Sequence, residues 1–312
     1  MQIRKAIPGD LPVIIHLLKA SLGESLIPKS EALWNWKHVE NPFGESPVLV
    51  AEENGIICGV RVFLRWEFHQ GEKIFKACRA VDTAIHPEYQ GRGIFKKLTL
   101  SLIEEIKNQG VDLIYNTPNV QSMSGYLKMG WEKWGKLPLK IHFPLSLGKS
   151  ESHTQESNWS SISQLIQEIE QSKKTSELIS TNLVRGYIHW RYVLCPLFPY
   201  YFISDGETYL LIYRIKEGKI GRELRIVDFF SLPAFSQNEK KQLNKRLKTI
   251  EKNEKVRFTS YSGLQFGKEL PIEMGLMPVM SIGPEVTLRK VALSEDLLQQ
   301  PWGWSLGDLE VF

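Results

Sequence analysis

Apolar residues along this chain change their period several times, and each change marks an element. After Pro8 and Asp10, Leu11, Ile14, Ile15, Leu17 and Leu18 share one face of a 3.6-residue repeat, so the spacing predicts a first helix. A second helix is predicted over 29–39, with Trp34 and Trp36 as core and lid residues, ending before Pro42. Residues 47–52 and 56–68 read as strands joined at Asn54-Gly55, a pair suited to the positive φ angles of a hairpin turn. Gln70-Gly71 closes another hairpin into a strand that runs to Ile85 and stops at Pro87, which cannot donate to a ladder. Phe95, Leu98, Leu102, Ile103 and Ile106 then lie on one face of a long helix, with Gly110 placed to cap it. A strand over 111–115, a helix carrying Tyr126 and strands over 131–143 complete a mixed α/β sheet with helices on its faces.

Composition narrows the class. A length of 312 residues suits two domains of ordinary size, and 42% hydrophobic with 24% charged residues is the balance of a soluble globular protein. No apolar run approaches the roughly 20 residues that span a bilayer, so no membrane partner is expected. The segment 1–6 lacks a signal-peptide core, which with the cysteines points to the cytoplasm. Cys58, Cys78 and Cys195 are scattered and off metal-ligand spacing, so a reducing compartment and no metal are expected. The net charge of +4, without a long basic block, favours an anionic ligand slightly and gives no case for nucleic acid.

Between Gly148 and Ser161 the composition shifts to Ser, Thr, Gln, Asn, Glu and Lys, a linker by composition. Beyond it the chain repeats itself. Trp36-Lys37-His38-Val39 and Pro42 are echoed by Trp190-Arg191-Tyr192-Val193 and Pro196, and Arg79-Ala80-Val81-Asp82 by Arg225-Ile226-Val227-Asp228. Val111 stands 18 residues before Met129 and Val256 stands 18 before Met274, and Asn54-Gly55 has its counterpart in Asp205-Gly206. A tandem duplication explains these echoes, giving domains over 1–147 and 161–312 with a linker over 148–160.

The candidate chemistry sits where the strand ending at Ile85 gives way to the long helix. Gln90-Gly91-Arg92-Gly93 is a turn with two residues lacking a Cβ, able to bring backbone N–H groups to a phosphate at a helix N-terminus. A P-loop would need Gly-Lys-Ser/Thr, and a Rossmann fingerprint a glycine where Lys96 stands. The pattern that fits is Gln/Arg-x-x-Gly-x-Gly/Ala after a hydrophobic-x-Pro strand end, here Gln90-Gly91-Arg92-Gly93-Ile94-Phe95 after Ile85-His86-Pro87. Further on, Asn119 lies seven residues before Tyr126 and Gly130-Trp131 begins four after it. Together these two motifs resemble those of the GNAT (N-acetyltransferase) superfamily, with Phe95 departing from the pattern by its size.

The resemblance implies an α/β fold of two tandem GNAT-like domains, each a mixed, mostly antiparallel sheet flanked by helices. It implies acetyl-CoA, or another acyl-CoA, as donor and a small-molecule amine or amino sugar as acceptor, joined in a ternary complex. Backbone N–H groups of Gln90, Gly91, Arg92, Gly93, Ile94 and Phe95 would hold the pyrophosphate. The segment Thr83, Ala84 and Ile85 would take the pantetheine arm and polarise the thioester carbonyl, and Asn119 would orient that arm or a nearby backbone group. Tyr126 would protonate the leaving thiolate, and a phenol is protonated at neutral pH as this needs. Asp82 is the candidate for taking the proton of the attacking ammonium, and His86 the reserve. The second copy has Phe229-Phe230-Ser231 after Asp228 and Pro271 in the place of Tyr126, so it is expected to be degenerate. Two other functions stay open: an acyl-CoA sensor without turnover, and acetylation of a protein or peptide.

Overall fold

The computed structural model describes residues 1–23, 27–144, 157–172, 176–263, 272–273 and 278–309. Most of the expected linker, Pro271 and the Met274-Gly275 step of the repeat lie outside them.

Gln2–Lys5 (β1) is an edge strand, too short to announce itself by alternation. Leu11–Leu22 (α1) buries Ile14, Ile15, Leu17 and Leu18 on one face, as its spacing predicts. Its entry is pinned by Asp10, which accepts from the Ile7 N–H at 2.8 Å and pairs with Arg4 at 2.7 Å. The predicted second helix is α-helical only over Glu31–Trp34 (α2), where the Ser30 hydroxyl accepts from the Leu33 N–H. It then widens into a π-helical turn over Asn35–Val39, which buries Trp36, Lys37 and His38 together.

Val48–Glu53 (β2), Ile56–Gln70 (β3) and Lys73–Ile85 (β4) form an antiparallel meander. Asn54 and Gly55 take φ of 54° and 78°, as their hairpin requires. Ile94–Asn108 (α3) follows, its apolar stripe packed on the sheet, and Leu113–Asn116 (β5) returns parallel to β4. Val120–Lys128 (α4) and Glu132–Lys136 (β6) come next. Pro138 ends β6, because it has no N–H for a ladder, and Leu139–His142 (β7) leaves for another sheet. The strands expected together over 131–143 are therefore divided between two sheets.

The second half contributes Ser163–Gln171 (α5), Ser180–Thr181 (β8), Tyr201–Ser204 (β9), Tyr209–Gly218 (β10) and Gly221–Ser231 (β11). Gln237–Asn253 (α6), Phe258–Ser262 (β12) and Glu285–Lys290 (β13) complete it. Among the described residues one sheet has the order β1-β2-β3-β4-β5-β13-β6, with β8 against β3, and the other the order β7-β12-β11-β10-β9. The halves thus exchange strands: β13 sits between β5 and β6 and β8 pairs with β3, while β7 edges the second sheet.

The result is an α/β fold of two mixed, mostly antiparallel sheets flanked by helices. The sequence echo has a structural counterpart, because the hairpin, helix and parallel strand of β3-β4-α3-β5 recur as β10-β11-α6-β12. Trp36 and Trp190 stack at 5.2 Å, and each indole N–H donates to the other's backbone carbonyl at 2.7 Å. The π-helical turn recurs over His189–Val193. One apolar core runs through both halves, from Leu17 and Trp66 to Leu210 and Trp302.

Candidate active site

Strands β4 and β5 pair only at Ala77, Cys78 and Arg79. Beyond that point β4 runs on to Ile85 while β5 ends at Asn116, so the strands part. The gap opens into a cleft of about 760 Å³. Its β4 wall is Asp82, Thr83, Ala84 and Ile85; its mouth is Gln90, Gly91, Gly93, Ile94 and Phe95; its far wall is Asn119 and Tyr126. The two motifs, distant in sequence, therefore face each other. The Arg92 side chain does not join them, because its guanidinium turns outward over the Tyr89 ring at 4.7 Å and toward Glu53 at 3.5 Å.

Gly91 and Gly93 take φ of 77° and 73°, which a side chain would strain. Gly93 is the N-cap of α3 and has no side chain to cap with, so the first-turn N–H groups of the helix keep their donors for another acceptor. His86, the reserve base, stands outside the cleft: it caps the turn Pro87–Tyr89, its Nδ1 accepting from the Glu88 N–H at 3.3 Å.

Phe95 fits because of a residue thirty positions away. Its ring stands edge-on to Tyr126 at 5.5 Å, and a Cβ on Gly125 would come within 3.1 Å of its Cε1. Glycine before the tyrosine makes the room that the large residue takes. Asn119 caps α4, its Oδ1 accepting from the Ser122 N–H and hydroxyl at 2.9 Å each. It therefore orients backbone at the cleft wall.

Asp82 sits at a bulge of β4 with φ of 41°, a left-handed conformation that costs a non-glycine residue free energy. Its Oδ2 is 2.7 Å from Lys37 Nζ and 2.9 Å from His38 Nε2, and His38 Nδ1 lies 3.0 Å from the Ser46 hydroxyl. Burial penalises the charge, yet Lys37 and His38 outweigh it and hold the carboxyl far below the usual range. The second half keeps a similar arrangement in a buried setting: the Tyr192 hydroxyl donates to Asp228, with Arg191 beside it. There Gly307 lies against both Asp228 and Tyr192.

Sequence reasoning missed several residues at the site. Ser21 and Leu22, at the end of α1, line the cleft, and the Ser21 hydroxyl donates to the Ile85 carbonyl at 3.0 Å. Lys37 and His38 stood in the sequence only as members of the repeated Trp36-Lys37-His38-Val39 segment. Arg61 is fully buried, and its Nη1 donates to the Tyr126 hydroxyl at 2.9 Å and to Thr83 Oγ1. Its signal was a lone charge inside the apolar run Gly59-Val60-Arg61-Val62-Phe63-Leu64. Among the described residues, no group of three or more His, Cys, Asp or Glu side chains is placed to hold a metal ion, and no helix is long and apolar enough to cross a membrane.

Comparison with known proteins bears on the same half of the chain. The family model for an acetyltransferase (GNAT) domain matches residues 2–134, which include both walls of the cleft. The L-amino acid N-acyltransferase MnaT of Escherichia coli (strain K12) is 30% identical over 151 residues, 44% of this chain and 83% of the relative. The L-methionine sulfoximine/L-methionine sulfone acetyltransferase of Salmonella typhimurium is 30% identical over 152 residues, 44% of this chain and 84% of the relative. The solved structure of a GCN5-related N-acetyltransferase from Anabaena variabilis superimposes on 93% of this chain and 72% of its own, with a TM-score of 0.64 at 16% identity. That likeness carries the two-sheet fold beyond the matched half. Sequence relatives aligned over most of their length and a cleft inside the matched segment lead to one conclusion: the chain belongs to the GNAT family of acetyltransferases.

Proposed function

We propose that the chain moves an acyl group from an acyl-CoA, acetyl-CoA first, to the primary amine of a small molecule. The observation that carries this reading is the parting of β4 from β5 beside an uncapped helix N-terminus, with Tyr126 across the gap. The two curated relatives are named for L-amino acids and for methionine analogues, so amino acids lead the acceptor classes, with amino sugars next. The three cysteines, all free, accord with a cytoplasmic setting.

The thioester supplies an activated acyl carbon, and the chain's residues do the rest. Backbone N–H groups at the start of α3 hold the pyrophosphate, and the unpaired edge of β4 over Thr83, Ala84 and Ile85 holds the pantetheine arm. An N–H of that edge faces the carbonyl oxygen as it takes on charge. Asp82, fixed as an anion by Lys37 and His38, draws the acceptor ammonium in without taking its proton, which leaves to water in the open cleft. The free amine then attacks, the C–S bond breaks, its electron pair goes to sulfur, and Tyr126 supplies the proton. The domains of this reading are 1–147 for acyl transfer and 161–312 for support, joined by the linker.

The test is thiol release from acetyl-CoA with a panel of L-amino acids, amino sugars and peptides, alongside a thermal-shift titration with acyl-CoAs. Amine-dependent release supports the reading. A shift without release from any amine would leave a sensor, and release with peptides alone would move the acceptor to a protein.

A further inference from the structure

We propose that Arg61 is a positioning residue for acyl transfer, setting Tyr126 as a proton donor into the cleft and facing the phenolate once the proton has left. This rests on the reading of Tyr126 given above.

Arg61 lies on β3 at the bulge opposite Asp82 and Thr83, with 0% of its surface exposed. Both of its hydrogen-bond partners line the cleft. Its Nε and Nη2 are buried without a hydrogen-bond partner. The rings of Phe63, Phe95 and Tyr126 lie 4.7, 5.6 and 5.4 Å from the guanidinium carbon and offset part of its desolvation. No carboxylate among the described residues pairs with it. A buried charge so poorly compensated weakens a fold, and such costs are kept where a site uses the charge.

The chemistry of the contact fixes its direction. A guanidinium has no lone pair, so at the 2.9 Å contact the Tyr126 oxygen must accept. Its own hydrogen is left for an acceptor on the other side, and that side is the cleft. When the C–S bond breaks, sulfur takes the electron pair and then the Tyr126 proton, and the phenolate forms against the guanidinium. The proton given up by the acylated amine restores the phenol. Through Thr83 the same guanidinium ties the tyrosine to the strand that holds the acyl group, so donor and carbonyl keep a fixed separation.

Arg61→Met, Arg61→Lys, Tyr126→Phe and the Met/Phe double variant separate the outcomes. Each is assayed for thiol release from acetyl-CoA with the best amine found for the unaltered chain, for acetyl-CoA Kd by calorimetry, and for Tm. The expected result for Arg61→Met is a kcat lower by roughly 10- to 100-fold, with Kd changed by less than about twofold and Tm not lowered. Arg61→Lys should recover part of the rate. In the Tyr126→Phe background, Arg61→Met should change kcat by less than about twofold, because the group it serves is gone. A wild-type kcat in Arg61→Met overturns the proposal, as does an additive double variant. A drop in Tm with parallel loss of acetyl-CoA binding overturns it too, since Arg61 then only holds the fold. If Arg61→Met fails to fold, Arg61→Lys decides: a several-fold fall in kcat at unchanged Kd upholds the proposal and a wild-type kcat overturns it. Full turnover by Tyr126→Phe removes the tyrosine from the mechanism and Arg61 with it, an outcome distinct from an active Arg61→Met beside an impaired Tyr126→Phe.

Discussion

A methyl group on Gly125 would meet the Phe95 ring at 3.1 Å, with Tyr126 next in line. Gly125→Ala should therefore cost about 1–3 kcal/mol by overpacking and weaken acetyl-CoA binding, while Phe95→Ala in the same chain should restore both. Urea midpoints and calorimetric Kd values check this, and a lack of rescue would separate the two residues. Gly93→Ala should cost about 1–2 kcal/mol, because its φ of 73° is unfavourable for a residue with a Cβ, and should also weaken acyl-CoA binding by tilting the helix start. At this scale the sequence was legible wherever spacing carries the chemistry, as in the glycine turn and the Asn119-to-Tyr126 interval. It was not legible where function rests on contact. Lys37 and His38 look like ordinary helix residues until the π-helical turn points both at Asp82, and Arg61 joins Tyr126 across 65 residues.

Among the elements, the segment Ser305–Asp308 governs a pH response. Burial, with Asp308 beside it, pushes the Asp228 carboxyl up to about 7, and burial raises Asp308 to about 6. A carboxyl raised in the fold from an ordinary value of 3.8 stabilises it fully below that value, and the contribution is lost as pH rises through the folded value. Denaturation midpoints should therefore fall between about pH 4 and 7, and Asp228→Asn should flatten that slope. Glu251, also raised by burial, adds to this fall, whereas Asp10, Asp82 and Asp205, all shifted downward, act in the opposite sense at lower pH. Periodicity placed α1 and α3, and turn residues placed the hairpins at Asn54-Gly55 and Gln70-Gly71 and the end of α3 at Gly110. Neither could place β7, because Leu139–His142 alternates equally well against either sheet and its partner Thr259–Ser262 lies more than a hundred residues away. The same distance hides β13 from any local pattern.

Across the whole molecule, the loaned strands and the shared core make one cooperative unit. A fragment of residues 1–147 lacks β13, leaving β5 and β6 without the strand between them. It should be insoluble or melt without cooperativity, whereas the full chain should show a single calorimetric transition; a folded fragment that binds acetyl-CoA would refute this. Trp36→Ala should destabilise both halves together, since its ring and backbone serve Trp190 reciprocally. The echo of Trp36 by Trp190 was visible in the sequence, and those two residues meet at the centre. The exchange was not visible, because it concerns which sheet a strand joins.

The exchange of β7 and β13 also bears on what can be inherited separately. Recombination between the halves would split the chain into two modules if each sheet were built from one half. Here such a break strips an interior strand from the sheet that carries the cleft and an edge strand from the other. The C-terminal half thus becomes indispensable to the sheet that carries the cleft. Neither half can be shed or swapped without first undoing the loan.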